Sequence, residues 1–240
     1  MSENNHPGKN PHSPHQPKGL SILHDDRDII VVNKSSGLLT MGTPTEKEKT
    51  AYSLLTDYVR KGNPHSKNRL FIVHRLDRDT SGVLVFAKNE RAKRFLQDQW
   101  QKFSKTYYAV VLGKLEKKEG VIVSYLAENK MYRVFSVKDP SEGKYSKTGY
   151  RVVNESERYS LVEINLFTGS KNQIRVHFSE MGHPVAGDRT YGHPDKTVKR
   201  LALHAAKLTF LHPFSKKEMT FKTKIPGFFQ ELVGAPSKNG

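Results

Sequence analysis

Within HRLDRDTSG, residues 74–82, two arginines, two aspartates and a histidine occupy six consecutive positions with one leucine, and two hydroxyl residues and a glycine follow. Carboxylates crowded against guanidinium groups can serve acid–base or nucleophilic chemistry, because a neighbouring cation favours the charged carboxylate. The segment follows the apolar run LFIV and so departs from the end of a strand. Thr80, Ser81 and Gly82 supply turn chemistry, Gly82 through its access to positive φ. Residues 74–79 are therefore expected on a loop at a strand end, where a rigid scaffold presents functional side chains. Leu76 is expected to anchor that loop inward, leaving Arg75 and Asp77 on a common side. The same residues also read as a solvated turn with local Asp–Arg pairs.

A second dense segment, LFTGSKNQIRVHFSEMGHPVAGDRTYG (166–192), runs strand, glycine turn, helix. Arg175 and His177 fall in the first turns of that helix. An arginine beside Asp77 would keep its carboxylate charged in a partly buried cleft, and Arg175 is the candidate. An exposed helix residue is the other reading of Arg175.

The elements that must position these groups follow from hydrophobic spacing. DIIVVNK (28–34) and VLVFA are continuous apolar runs and predict buried strands. Ala51, Leu54, Leu55, Tyr58 and Val59 recur at helical spacing. A second helix is predicted after Asn89, an N-cap residue, with Ala92, Phe95, Leu96, Trp100 and Phe103 on one side. After residue 104 come short β-branched and aromatic runs: TYYAVVLG, GVIVSYL, MYRVFSV, YSKTGYRVVN and YSLVEINLF. The helix NQIRVHFSEM is stopped by Gly182 and Pro184. The expected fold class is α+β, a mixed and mainly antiparallel sheet with a few flanking helices. Residues 1–19, rich in proline and histidine and almost devoid of apolar side chains, are expected to be a disordered tail. There His6, His12 and His15 read as polar filler and not as metal ligands. Residues 20–232 are expected to form one folded domain, and 233–240 a flexible C-terminal tail.

Composition narrows the chemistry. The 240 residues contain no cysteine, which excludes disulfides, zinc–thiolate sites and thiol nucleophiles. Forty Lys+Arg against 24 Asp+Glu give a formal charge of +16, spread along the chain. Such a field suits a polyanion, nucleic acid first, with an acidic membrane surface or mere solubility as the other readings. No apolar run reaches the length of a membrane span, and no signal-peptide core is present, so a cytoplasmic protein is expected. No P-loop or G-x-G-x-x-G opening occurs, and no cofactor or metal is expected. No self-association pattern stands out, so the expectation is a monomer without an obligate protein partner.

HRLDRDTSG resembles the signature loop of the RluA-type pseudouridine synthases, which isomerise uridine to pseudouridine in ribosomal and transfer RNA. Further segments resemble that family in the same order: DDRDIIVVNKSSGLLT, KTYYAVVLG, TGSKNQIRVH, GHPVAGDRTYG and LHAAKLTFLHP. Together they span about residues 20 to 225. The resemblance implies that residues 20–232 are the catalytic domain and need no cofactor; the 19-residue tail is too short for an S4 domain, so a stand-alone catalytic domain is expected. It implies Asp77 as catalytic aspartate, Arg75 as the side chain entering the RNA stack, Tyr107 as the ring against the flipped base, and Arg175 as partner of Asp77. His74, Thr80 and Gly82 would shape the loop, Lys34 and Gly37 would form a turn, and Asp188 would tie a loop. Two positions depart from the family: Ser35 follows Lys34 where a proline is usual, and Ser170 stands where an arginine is common. Uridine C5-methyl transfer, which calls for a thiolate, is excluded by the missing cysteine. The alternative of another class is an RNA-binding or rRNA-folding factor that kept the fold and lost efficient catalysis, with Ser170 as its mark.

Overall fold

The computed structural model describes residues 16–43, 46, 48–61, 63, 65–192 and 197–234. Most of the two expected tails, including His6, His12 and His15, therefore lies outside the described residues. The elements in chain order are β1 (Leu20–Asp25), β2 (Ile29–Lys34), α1 (Ala51–Arg60), β3 (Phe71–Ile72), β4 (Ser81–Ala87) and α2 (Glu90–Asp98). They continue with β5 (Ser104–Leu112), β6 (Glu119–Glu128), β7 (Val134–Val137), β8 (Lys144–Glu155) and β9 (Tyr159–Leu166). The last are α3 (Gln173–Glu180), β10 (Leu203–Leu211), β11 (Glu218–Lys222) and α4 (Gly227–Val233).

The strands form one sheet in the order β1-β2-β4-β10-β5-β9-β8-β6-β7, with β3 beside β4 and β11 beside β10. The fold is α+β, and the sheet is mixed but mainly antiparallel. The parallel pair joins β4 to β10 over His204↔Ser81 and Ala205↔Gly82. The alternation of β2 and β4 explains their continuous apolar runs, Ile29–Val32 and Val83–Ala87. Val31, Val83 and Val85 face the core that holds Ala92 and Leu96 of α2. Val32, Leu84 and Phe86 face the opposite core, with Ala51 and Leu55 of α1. Burial on both faces removes any polar alternation, as in sheets covered on two sides. Thr50 caps α1 through Ser53 N, and Asn89 caps α2 through Ala92 N.

Four expectations change in detail. LFIV predicts a longer strand than the two residues of β3, because the chain leaves the sheet at Val73. Helix α2 ends at Asp98; Trp100 lies in a short 3-10 turn and Phe103 is extended, yet both still reach the α2 core. Val233, assigned to the C-terminal tail, closes α4 and is buried in the core that holds β5 and β9. Gly82, read as part of a turn, already lies within β4, where φ is +120°.

The reason for glycine at 82 is contact as well as conformation. A Cβ there would meet the Ala205 carbonyl oxygen at 2.1 Å. Gly82→Ala is expected to cost about 3 kcal/mol or more, combining backbone strain with forced separation of two central strands. Thermal unfolding reads this directly, and a loss below about 1 kcal/mol, the size of ordinary surface effects, would show that β10 can yield. Among the described residues, no helix is long and apolar enough to cross a membrane.

Candidate active site

The HRLDRD segment leaves β3 and re-enters the sheet at β4, so its loop spans residues 73–80. Leu76 is buried in the α1 core and fixes the loop from below. Thr40 clamps the same residue: its hydroxyl donates to the Leu76 carbonyl at 2.8 Å and accepts from the Leu76 amide at 3.1 Å. The end of β2 holds the far side. Lys34, fully buried, donates its ammonium to the carbonyls of Ser35, Leu38 and Arg78 at 3.0, 2.7 and 3.0 Å. Gly37, at φ +85°, donates its amide to the Arg78 carbonyl, and Ser36 Oγ donates to that of Asp79. Burial lowers the Lys34 pKa to about 8, against the opposing pull of Asp77 and Asp79. The turn after β2 and the charged loop are thus one hydrogen-bonded unit.

His74 stacks on Trp100 with ring centres 4.2 Å apart, and its Nε2 accepts the Val85 amide. Burial, with Lys105 nearby, lowers its pKa to about 3, so the ring is neutral near pH 7. Arg75 and Asp77 both line a cleft of about 460 Å³, together with Thr80, Tyr107, Ser170 and Arg175. Arg75 is exposed, with Nη1 3.7 Å from the sulfur of Met41. Arg78 turns away and pairs with Glu46.

Arg175 approaches Asp77 from the first turn of α3, which begins after Asn172 in the left-handed region at φ 53°. Its Nη1 donates to Asp77 Oδ2 at 3.2 Å and to Asn172 Oδ1 at 3.1 Å. The other edge of the guanidinium is bidentate to Asp188, at 2.7 and 2.8 Å. The Asp188 carboxylate is wholly buried and also accepts the amides of Thr190 and Tyr191. Burial alone would raise its pKa, but Arg175 and those two amides outweigh it and hold the group below its ordinary value. Arg175 in turn is raised: burial disfavours its charge, and Asp188 and Asp77 together overcome that. The chain Asp188–Arg175–Asp77 therefore leaves Asp77, with a third of its side chain exposed, as the carboxylate that faces the cleft.

Tyr107 lies on β5, opposite Ala205 of β10 and Ile164 of β9, and packs against the cores on both sides. Burial and the charge of Asp77 push its phenol well above the ordinary range. Gln173 braces the facing wall, accepting from the Ser170 amide and Thr168 Oγ1 and donating to Thr148 Oγ1 and the Lys147 carbonyl. Ser170 itself accepts from Ser146 Oγ at 2.8 Å. The structure thus brings Asp77, Arg175, Tyr107, Arg75 and Thr80 to one cleft, with His74 at its edge. Sequence reasoning assigned Arg175 to Asp77 and missed that Asp188 is its bidentate partner. The one cluster that could hold a metal among the described residues, Asp26, Asp28 and His212, is not part of the cleft wall.

Two further buried imidazoles support this region. His177 bonds Thr148 and Ser124, and His204 bonds Ser81 and Thr223. Burial lowers both to a pKa of about 4. The unfolded chain, with histidines near 6.5, binds protons first as pH falls, so stability is lost below about pH 6.5. Between pH 7 and pH 5 each imidazole is expected to withdraw about 2 kcal/mol. Urea unfolding at the two pH values measures it, and His177→Gln should shrink the difference. An unchanged difference in that variant would show that His177 titrates normally in the fold.

A family model for RNA pseudouridylate synthase matches residues 28–180. A Bacillus subtilis protein, "Uncharacterized RNA pseudouridine synthase YhcT", is 35% identical over 217 residues, covering 89% of this chain and 71% of its own. The Vibrio cholerae "Dual-specificity RNA pseudouridine synthase RluA" is 36% identical over 209 residues, covering 85% of this chain and 82% of its own. The solved structure of human RNA pseudouridylate synthase domain containing 1 superposes with a TM-score of 0.72 at 26% identity, over 92% of this chain and 89% of that one. With an aspartate-bearing loop at the mouth of a cleft, a mixed sheet beneath it and relatives of this kind, the chain belongs to the RNA pseudouridylate synthase family and is an isomerase acting on RNA.

Proposed function

We propose that the protein converts specific uridines of ribosomal or transfer RNA to pseudouridine, with Asp77 as the catalytic carboxylate. The observation that carries this reading is the Asp77 carboxylate at the cleft, 3.2 Å from an arginine that is itself anchored on a buried aspartate. The reaction breaks the bond between ribose C1′ and N1 of uracil, turns the base and joins C1′ to C5. The C5 proton leaves and N1 gains one, so no oxidant or group donor is required. An ionised carboxylate at Asp77 can attack C1′, add to the base or take a ribose proton; each use needs the charged form, beside which Arg175 places a cation.

The uridine must leave its stack to reach the loop, at a cost of a few kcal/mol. Arg75, exposed beside the aspartate, fits the role of entering the gap. Tyr107 fits that of the ring against the extruded base. His74 and Thr80 hold the loop in shape and carry no proton in this reading. The Vibrio cholerae relative is called dual-specificity, which agrees with a family able to serve more than one RNA. The residues 20–234 serve as the catalytic unit in this proposal, acting as a monomer.

The test is a pseudouridine map of total ribosomal and transfer RNA from cells lacking the gene, complemented with wild type or with Asp77→Asn. A uridine modified only with wild type supports the reaction, the residue and the substrate together. No change with either form of the gene, while the purified protein still binds RNA, would sink the catalytic reading. It would favour the RNA-binding factor instead.

A further inference from the structure

A second cleft, of about 540 Å³, meets the other end of the catalytic loop. Its wall includes Asp79 and Ser81 from that end of the loop, and Arg189, Lys199, Arg200 and Lys224 from the chain around β10. Asp79 is the one carboxylate in the wall, against those four cations and the buried Lys34, whose ammonium is taken by three carbonyls. None of the four forms an ion pair with a carboxylate among the described residues. Arg189, Lys199 and Lys224 are exposed.

Arg200 is held differently. Its Nη2 donates to Ser81 Oγ at 2.8 Å, and the guanidinium carbon lies 5.0 Å from the ring of Phe228. Its Nε, screened from solvent, is the one buried side-chain nitrogen or oxygen without a hydrogen-bond partner among the described residues. Nε is closed to a ligand as it is to water, whereas Nη1, open to solvent and without a hydrogen bond among the described residues, and the second hydrogen of Nη2 are left for bidentate capture of a phosphate. The backbone that bears the neighbouring cation is also held close. Gly187, at φ +74°, packs so closely that a Cβ would fall 2.3 Å from the Arg200 carbonyl oxygen. Arg189 follows two residues later, immediately after Asp188, the anchor of Arg175.

We propose that this second cleft binds a phosphodiester of the RNA strand that carries the target uridine, with Arg200 as its fixed donor and Arg189, Lys199 and Lys224 around it. The proposal rests on the RNA-modifying reading of the neighbouring cleft and adds where that strand is gripped. A strand held here crosses the loop that carries Asp77 and bears on the Asp188–Arg175 pair. Register on the RNA then comes from a backbone contact, while the choice of base is made in the first cleft.

Polyuridylate and inorganic phosphate are the two probes. Lys199→Gln/Lys224→Gln removes two exposed charges without touching the core, and Arg200→Gln removes the fixed donor. Each is compared with Lys138→Gln/Lys217→Gln, an equal loss of charge outside the cleft. For the lysine pair, affinity for polyuridylate is expected to fall about tenfold at moderate salt, with the log–log salt slope shallower by about 1.4, the share of two single-strand phosphate contacts. Arg200→Gln is expected to fall in the same direction, and the control pair clearly less. If Arg200→Gln fails to fold, the lysine pair decides alone.

Unchanged affinity and slope would overturn the proposal, as would an equal fall in the control, which would mean bulk charge alone. Phosphorus NMR supplies the other arm. Inorganic phosphate binding that is lost in the lysine pair while polyuridylate affinity stays at the wild-type value would make this a free-phosphate site, and overturn the RNA assignment. The readout is affinity, so it is independent of whether Asp77→Asn retains activity, the outcome that would sink the catalytic reading itself.

Discussion

Asp77→Asn is expected to lower pseudouridine formation by about 10⁴-fold or more, the scale on which enzymes lose a group that acts in the chemical step. Its RNA affinity should stay within about threefold of wild type, since each 1.4 kcal/mol is a factor of ten and this change removes no phosphate-binding cation. The variant is close to isosteric. An asparagine Oδ1 can still accept from Arg175 Nη1, so the bidentate Arg175–Asp188 pair keeps its geometry. What disappears is the negative charge and the nucleophilic oxygen. Stability should change by about 1 kcal/mol at most, because the Asp77 side chain is a third exposed and its ion pair is solvated on one side. Single-turnover assays with the RNA identified by the map separate the two readouts. Activity within about tenfold of wild type, less than the roughly 100-fold that even a weak general acid–base group contributes, would remove Asp77 from the chemical step.

The parts of this architecture that depend on local pattern are readable from the residues alone. The strands β2 and β4 follow from continuous apolar runs, and the helices near the site from apolar spacing and, for α2, the cap at Asn89. The approach of Asp77 and Arg175 was readable only as a candidate, because 98 residues separate them and the pairing depends on strand order. The parallel contact of β4 with β10 brings the loop and the later segments together, and nothing in either strand's pattern announces it. Gly82 shows the same limit. A glycine after a hydroxyl pair reads as a turn residue, whereas its real constraint is the Ala205 carbonyl on another strand.

Lys34 and Asp188 were legible as turn and loop residues, and their energetic roles were not. A lysine at a strand end reads as exposed, yet three carbonyls from two segments enclose this one. Asp188 sits in GDRTYG, where its backbone contacts to Thr190 and Tyr191 are a local asparagine- or aspartate-type turn. Its second partner comes from α3 and is a tertiary fact. The second, cationic cleft arises likewise from residues spread between Asn33 and Pro226, none of them a motif.

Arg175→Ala is expected to destabilise the protein by about 3 to 5 kcal/mol, because it leaves the Asp188 carboxylate buried without its counter-ion. The same substitution frees Asp77 from its anchor, and a misplacement of about 1 Å at a reacting group can cost about 100-fold in rate. Stability and positioning are separated by adding Asp188→Asn. The amide oxygen can still accept from Thr190 and Tyr191, while the stranded charge is gone. The double variant should therefore recover part of the stability, with a coupling of about 2 kcal/mol between the two sites. Activity should not recover with it, because no cation is restored beside Asp77. Chemical denaturation gives the coupling, and single-turnover rates well below the melting range give the second readout. If the double variant regains rate in step with stability, Arg175 serves the fold alone. If the rate stays low in a protein that is folded, Arg175 is a positioning residue acting through Asp77, and the buried Asp188 is what lets it hold that place.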